Sequence, residues 1–129
     1  MERWLGKYSE PLYAVLRVVI GVLFACHGAQ KVFGLFGGQS QLANPVQLAA
    51  GLIELLGGGM VALGLWTSYA AFVSSGTMAV AYFMAHGLIA FWPIVNKGEL
   101  AAVYAFVFLY VAARGSGPLS VDALLKKKS

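Results

Sequence analysis

Six residues of this chain are of the kinds that bind ligands or move protons. His27 and Lys31 are four residues apart, so on a helix they sit together on one face. One is a base at ordinary pH and the other a cation. Glu54 stands alone in an apolar stretch, where a carboxyl without water must be protonated, paired or beside a wet cavity. Lys97 and Glu99 fall in the short polar run Asn96-Lys97-Gly98-Glu99, and Trp92 lies just ahead of it. Two bases and two acids drawn from separate segments are what a site needs to hold a carbonyl oxygen and supply a proton to it.

Each residue also has a plainer role. Asn96 and Glu99 have the spacing of a capping box, Asn96 at the N-cap and Glu99 three residues into the helix; Lys97 is left unexplained by that reading. His27 can serve as a structural hydrogen-bonding group and Lys31 as an interfacial anchor. A second histidine, His86, falls at a depth similar to His27 on another segment. Two such histidines can ligate haem in a helical bundle, or with Glu54 or Glu99 a metal ion. The spacings match no motif for either, and neither haem nor a metal is the favoured reading. Arg17 is either a guanidinium reaching back to the headgroups or the partner of Glu54. It lies about 9 Å from one membrane boundary and Glu54 about 12 Å from the other. In a core of about 30 Å that leaves a gap near 9 Å, which the two side chains can span. The ion pair is the expectation, with Arg17, Asn96 and His86 as structural polar groups.

These residues must be positioned by membrane helices. Of 129 residues, 60% are hydrophobic and 11% charged, against about 45–50% and about 25% in soluble domains; mean hydropathy is +0.77. The chain cannot clothe a soluble core. Four apolar stretches approach the length of about 17–25 residues needed to span: 11–31, 45–66, 68–86 and 97–114. The second should start with Asn44 as N-cap and Pro45 at the first helical position, and the third with Thr67 or Ser68 as cap. The expected architecture is all-α, one domain over residues 1–129, an integral four-helix membrane bundle. Residues 67–69 make a tight turn between helices two and three. The apolar stretch 87–95 is expected to lie in the interface or dip back, a lid over an outer site with Trp92 at headgroup level. Residues 120–128 form a short surface helix whose lysines meet anionic lipid. Residues 1–26 have features of a signal peptide, but Arg17 within the apolar part and Phe24 at a small-residue position favour a retained helix.

Arg3, Lys7, Arg114, Lys126, Lys127 and Lys128 lie on the side of the termini and only Lys31 and Lys97 opposite, so both termini are expected in the cytoplasm of a bacterial inner-membrane protein. His27, Lys31, Glu54, Lys97 and Glu99 then converge on the outer leaflet. The net charge of +4 includes no basic surface with interleaved aromatics, which excludes a nucleic-acid partner. Cys26 is the single cysteine, so no disulfide or dithiol chemistry is available within the chain. The stripe Arg17, Gly21, Phe24, Gly28, Lys31 should face the bundle interior, and the small residues around Glu54 let helices approach closely.

The stretches RVVIGVLFACHGAQKVFG (17–34), AAGLIELLGGGMVALGLWTS (49–68) and FWPIVNKGELAAVYAFVFLYVAARGSGPLSVD (91–122) together resemble the DoxX family of small bacterial membrane proteins. The positions carrying the resemblance are Arg17, His27, Gly28, Lys31, Glu54, Trp92, Asn96, Lys97, Gly98 and Glu99. The family takes its name from a small subunit of an archaeal thiosulfate:quinone oxidoreductase, and other members are linked to membrane redox or oxidative-stress complexes. The resemblance implies a four-helix membrane bundle and much less about activity. The leading reading is a non-autonomous subunit of a quinone-linked complex, with an outer-leaflet pocket of His27, Lys31, Glu54, Trp92, Lys97 and Glu99 and a quinone as the ligand. Membrane lipid and a protein partner or second copy are the expected contacts. The alternatives are a non-catalytic membrane scaffold or assembly protein and a small-solute carrier; the carrier is weakened by the lack of an inverted repeat or broken helix.

Overall fold

The computed structural model describes residues 2–35, 37, 43–84, 92–93 and 98–128. The described chain is helical, with no strand among the described residues. A short helix Glu2–Leu5 and a 3₁₀ turn Gly6–Tyr8 lead into α1 (Ser9–Phe33); α2 (Pro45–Leu63), α3 (Thr67–Tyr82), α4 (Glu99–Arg114) and α5 (Val121–Lys128) follow. The stretch Arg3–Phe33 and α2 are each long and apolar enough to cross a membrane. Helices α3 and α4 have 16 residues each as described, short of the about 17 that a span requires.

Helix ends are set by local chemistry at some positions and by tertiary contacts at others. The Asn44 side chain accepts from the Val46 and Gln47 N–H groups at 3.1 and 3.3 Å, with Pro45 following, as expected for an N-cap. Helix α2 stops at Leu63, three residues before the expected end, because Gly64 takes the left-handed conformation (φ 75°) and its N–H turns back to Val61 O. Helix α3 is not capped by Thr67 or Ser68. Trp66 is its N-cap in a left-handed conformation, and its own side chain makes no cap bond. The Asp122 carboxylate instead accepts from the Trp66 and Thr67 N–H groups at 3.0 and 3.4 Å. The capping box expected at α4 is also corrected. The helix begins at Glu99 with Gly98 as N-cap and no side-chain cap bond, so Glu99 is at the first helical position rather than the third. Asn96, Lys97 and His86 lie outside the described residues, as does all of the expected 87–95 lid except Trp92 and Pro93.

Packing is tightest between α1 and α2, where backbone meets backbone. A methyl on Gly58 would come within 2.5 Å of Ala25 N and Gly21 O, and one on Gly28 would strike Leu55 N and lie 2.6 Å from Gly51 O. Only glycine permits that approach. Helix α3 buries Ala70, Ala71, Ser74, Ser75 and Met78; Ser74 lies against Gly57 of α2, and the Ser75 hydroxyl donates to Ala105 O of α4 at 2.6 Å. Between the two pairs lies an aromatic core. Phe24 is 4.7 Å from Phe108 and 5.3 Å from Tyr104, and the Tyr104 and Phe108 rings stack at 5.8 Å. The interior is thus small, aromatic and partly polar, while Val15, Leu16, Val18, Val22 and Leu23 of α1 and Val103, Phe106 and Leu109 of α4 face outward. An apolar exterior of that extent far exceeds the patches of a soluble monomer.

Candidate functional site

Four members of the expected stripe on α1, Arg17, Gly21, Phe24 and Gly28, are buried, together with Tyr13; the fifth, Lys31, is partly exposed. The two cations of the stripe meet different surroundings. Arg17 does not reach Glu54. Its guanidinium donates Nε–H to Val61 O at 2.9 Å, one terminal N–H to Ser116 O at 2.5 Å and the other to Leu119 O at 2.8 Å. Val61 O belongs to the last turn of α2, where carbonyls lack helical partners and the helix dipole is negative. The loop after α4 folds under Arg17 to supply the other two carbonyls. The bridge over the 9 Å gap is unnecessary because main-chain acceptors stand closer.

Around Arg17 a dense polar joint ties all five helices α1 to α5 together. The Tyr13 hydroxyl donates to Gly115 O at 2.6 Å, and the Asp122 N–H donates to Gly64 O at 3.0 Å. The Asp122 carboxylate caps α3 and also accepts from the Ser116 hydroxyl. The Ser120 hydroxyl accepts from Ala123 N–H at 3.2 Å and donates to Gly117 O at 2.7 Å, starting α5. Arg114 pairs with Glu10 and lies over the Tyr13 ring at 4.4 Å. Burial pushes the Asp122 carboxyl up, but its donors, Ser116 and the two N–H groups, together with the Arg17 charge, outweigh this and hold it below the ordinary carboxylate value.

At the other end of α1, Lys31 is the partner of Glu54. Its Nζ lies 3.1 Å from Oε1 in hydrogen-bonding geometry and 2.9 Å from Oε2. Among the described residues Oε2 has no hydrogen-bond donor of its own. Glu54 is buried, its side chain 4% exposed, whereas that of Lys31 is 29% exposed. The pair spans the α1–α2 seam, where Lys31 Cβ passes 3.0 Å from the position a Gly51 methyl would take.

This pair closes one end of a cavity of about 760 Å³ between the helices, within the range of small-molecule sites. His27, Lys31 and Glu54 line it, with Gln47 and Thr77; Phe72, Val73, Met78, Val80, Met84, Leu100 and others make apolar walls. The structure therefore brings together three of the six expected ligand-binding residues. Trp92 is 65% exposed and Glu99 is exposed; neither is among the described residues that line this cavity, and Lys97 lies outside the described residues. Tyr104 belongs to the site and was not anticipated. It is buried, lines the cavity, and its ring stands edge-on to His27 at 5.9 Å. A tyrosine four residues before Phe108 reads as core by its spacing, and nothing in the sequence places it opposite His27. Among the described residues no three acidic, histidine or cysteine side chains cluster as a metal site would need.

The arrangement is an apolar chamber with a charged pair, an imidazole and a phenol at one end. It fits an amphipathic molecule with a compact polar head. Comparison with known proteins places the chain in a family. The DoxX family model matches residues 12–87. An uncharacterized protein of Haemophilus influenzae is 39% identical over 132 residues, covering 96% of this chain and 98% of that one. The chain belongs to the DoxX family. This DoxX-family membrane protein thus keeps its buried Arg17 joint, the Gly28 and Gly58 seam and the Lys31–Glu54 pair within or beside the matched region. No solved structure matches the chain.

Proposed function

We propose that this DoxX-family protein crosses the bacterial inner membrane as a four-helix bundle, both termini in the cytoplasm, and acts as a small subunit of a redox-linked complex by holding a quinone headgroup. The observation that carries this reading is the cavity in which His27, Lys31 and Glu54 meet apolar walls. A quinone is neutral, membrane-soluble and flat. Its carbonyl oxygens accept hydrogen bonds, and the Lys31 ammonium and the His27 ring are the donors at the polar end. Its apolar tail follows the side chains that line the chamber. The chain has one cysteine and so no thiol couple of its own; electrons would pass to or from a partner protein. The topology rests on six Lys and Arg residues toward the termini against two opposite.

The test is extraction of bound small molecules from mildly solubilised protein, with an absorption spectrum before and after chemical reduction. A quinone band that bleaches on reduction, present in the wild type and lost in His27→Ala, is the expected result. Protein free of any such molecule sinks the quinone reading. A scaffold role is favoured by one observation, the close Lys31–Glu54 contact at 2.9 Å, which satisfies the cation without a ligand. Under that reading His27→Ala changes nothing, and a stable protein partner co-purifies without any small molecule.

A further inference from the structure

We infer that the cavity is a charge filter: the Lys31–Glu54 pair admits neutral headgroups that accept hydrogen bonds and rejects anionic amphiphiles of the same shape. This deepens the quinone reading and rests on the same cavity, but it concerns what is refused as well as what is held.

The observation is the asymmetry of the pair. Lys31 is the partly exposed member and Glu54 the buried one, and both line the cavity. A lone lysine in an apolar chamber open to lipid would attract the commonest anions of its surroundings, the phosphates and carboxylates of lipids and fatty acids. Here a carboxylate lies 2.9 Å from the ammonium, so the pair is neutral as a unit. An anionic oxygen bonded to Nζ at about 2.8 Å would sit within about 6 Å of the Glu54 carboxylate. The Oε2 atom has no hydrogen-bond donor among the described residues, so apart from the ammonium its charge is undiluted. The repulsion at that separation cancels about half of the ammonium's attraction for the anion, and the remainder does not offset the cost of stripping water from the charged headgroup. A carbonyl oxygen carries no net charge and does not meet this penalty, while still accepting from the ammonium. Neutralising the site with a buried partner rather than removing the lysine keeps the donor and discards its appetite for anions. Glu54 is therefore a specificity-determining residue, although it need not touch the ligand.

The test compares a neutral and an anionic probe with one chain length. Purified full-length protein in nanodiscs of neutral phospholipid is titrated with methyl laurate, laurate and a decyl-substituted benzoquinone, at about pH 9, well above a carboxylic acid's pKa. Wild type should bind the ester and the quinone, and laurate at least roughly tenfold more weakly than its ester. Glu54→Gln should close that gap, and Lys31→Met should lose the ester without gaining laurate. Should Glu54→Gln fail to fold, the wild-type preference between ester and acid decides alone. Equal binding of laurate and its ester by wild type overturns the filter, and leaves the quinone reading standing if the quinone binds. Ester bound and quinone refused supports the filter and removes the quinone. No binding of any probe overturns both.

Discussion

Arg17 and Lys31 occupy one face of one helix, about four turns apart, and the protein uses them in opposite ways. At Arg17 three donors meet three main-chain carbonyls from α2 and the loop before α5. The planar fork suits fixed acceptors in different directions, and Lys could not reproduce it. At Lys31 the ammonium meets, among the described residues, a single carboxylate and a cavity. A cation whose donors are spent on backbone is a structural joint. A cation with one partner and open space beside it is available for binding. Both are charged residues deep in an apolar chain, where charge by itself marks functional candidates; the number and kind of acceptors separates them.

The sharpest break of that comparison is removal of Arg17. Arg17→Ala removes the Arg17 donor from the Ser116 and Leu119 carbonyls, leaves Val61 O with only the Gly64 N–H, and opens a void; it should cost roughly 3–5 kcal/mol, read as a fall in Tm in detergent or a failure to accumulate folded protein. Arg17→Lys should recover little of it. Lys31→Met should be milder, and a Lys31→Met, Glu54→Gln double variant should be more stable than Lys31→Met alone. Arg17→Gln combined with Glu54→Gln should be additive in melting experiments, because the two do not touch; coupling between them would restore the pair rejected above.

Next in size are the seam glycines. Gly28→Ala places a methyl against Leu55 N and Gly51 O, and the backbones must part at the Lys31–Glu54 end. About 2–4 kcal/mol of destabilisation is expected, in the range of large packing errors, together with loss of ligand retention. Gly59→Ala, where a methyl meets nothing within 4 Å, should be tolerated. Equal melting temperatures for the two would mean that the seam does not set the pocket.

A smaller effect is expected at Asp122. Asp122→Asn weakens the cap on α3 and should cost about 1 kcal/mol. The folded carboxyl is held below the ordinary value of 3.8. Its stabilisation is therefore complete above that value and is lost as pH falls through the lower folded one. The wild-type Tm should drop in that acid window more steeply than that of Asp122→Asn; parallel curves would remove Asp122 from the joint. The least effect on stability is expected of His27→Ala, below about 1 kcal/mol, although it should abolish ligand retention. That contrast with Arg17→Ala, large in stability for one and large in binding for the other, is the test of the division between the two ends.

Much of the helical layout was legible because it depends on neighbours in sequence. Asn44 and Pro45 start α2, and the inward stripe of α1 follows from periodicity alone, although α1 runs two residues past each end of the expected 11–31, up to Gly34 at φ 72°. The membrane character follows from a composition that leaves too few charges to cover a core. What failed depended on distant partners. The cap of α3 comes from Asp122, 55 residues away from Thr67, and no reading of Trp66-Thr67-Ser68 contains it. The capping box at Asn96 was sound as a pattern, yet α4 begins at Glu99.

The sequence by itself determined that this chain is helical and apolar and which face of α1 turns inward, and it put His27, Lys31 and Glu54 among six candidates without separating them from Trp92, Lys97 and Glu99. Only the tertiary structure decided which charge meets which. Depth along a helix axis made Arg17 and Glu54 compatible, but depth says nothing of rotation about that axis or of what a following loop can supply. The glycine seam sets the rotation, placing Lys31 across from Glu54, and the 115–120 loop brings carbonyls to Arg17 before any carboxylate can reach it. Charge pairing in so apolar a medium goes to the nearest acceptor, and nearness is a property of the fold.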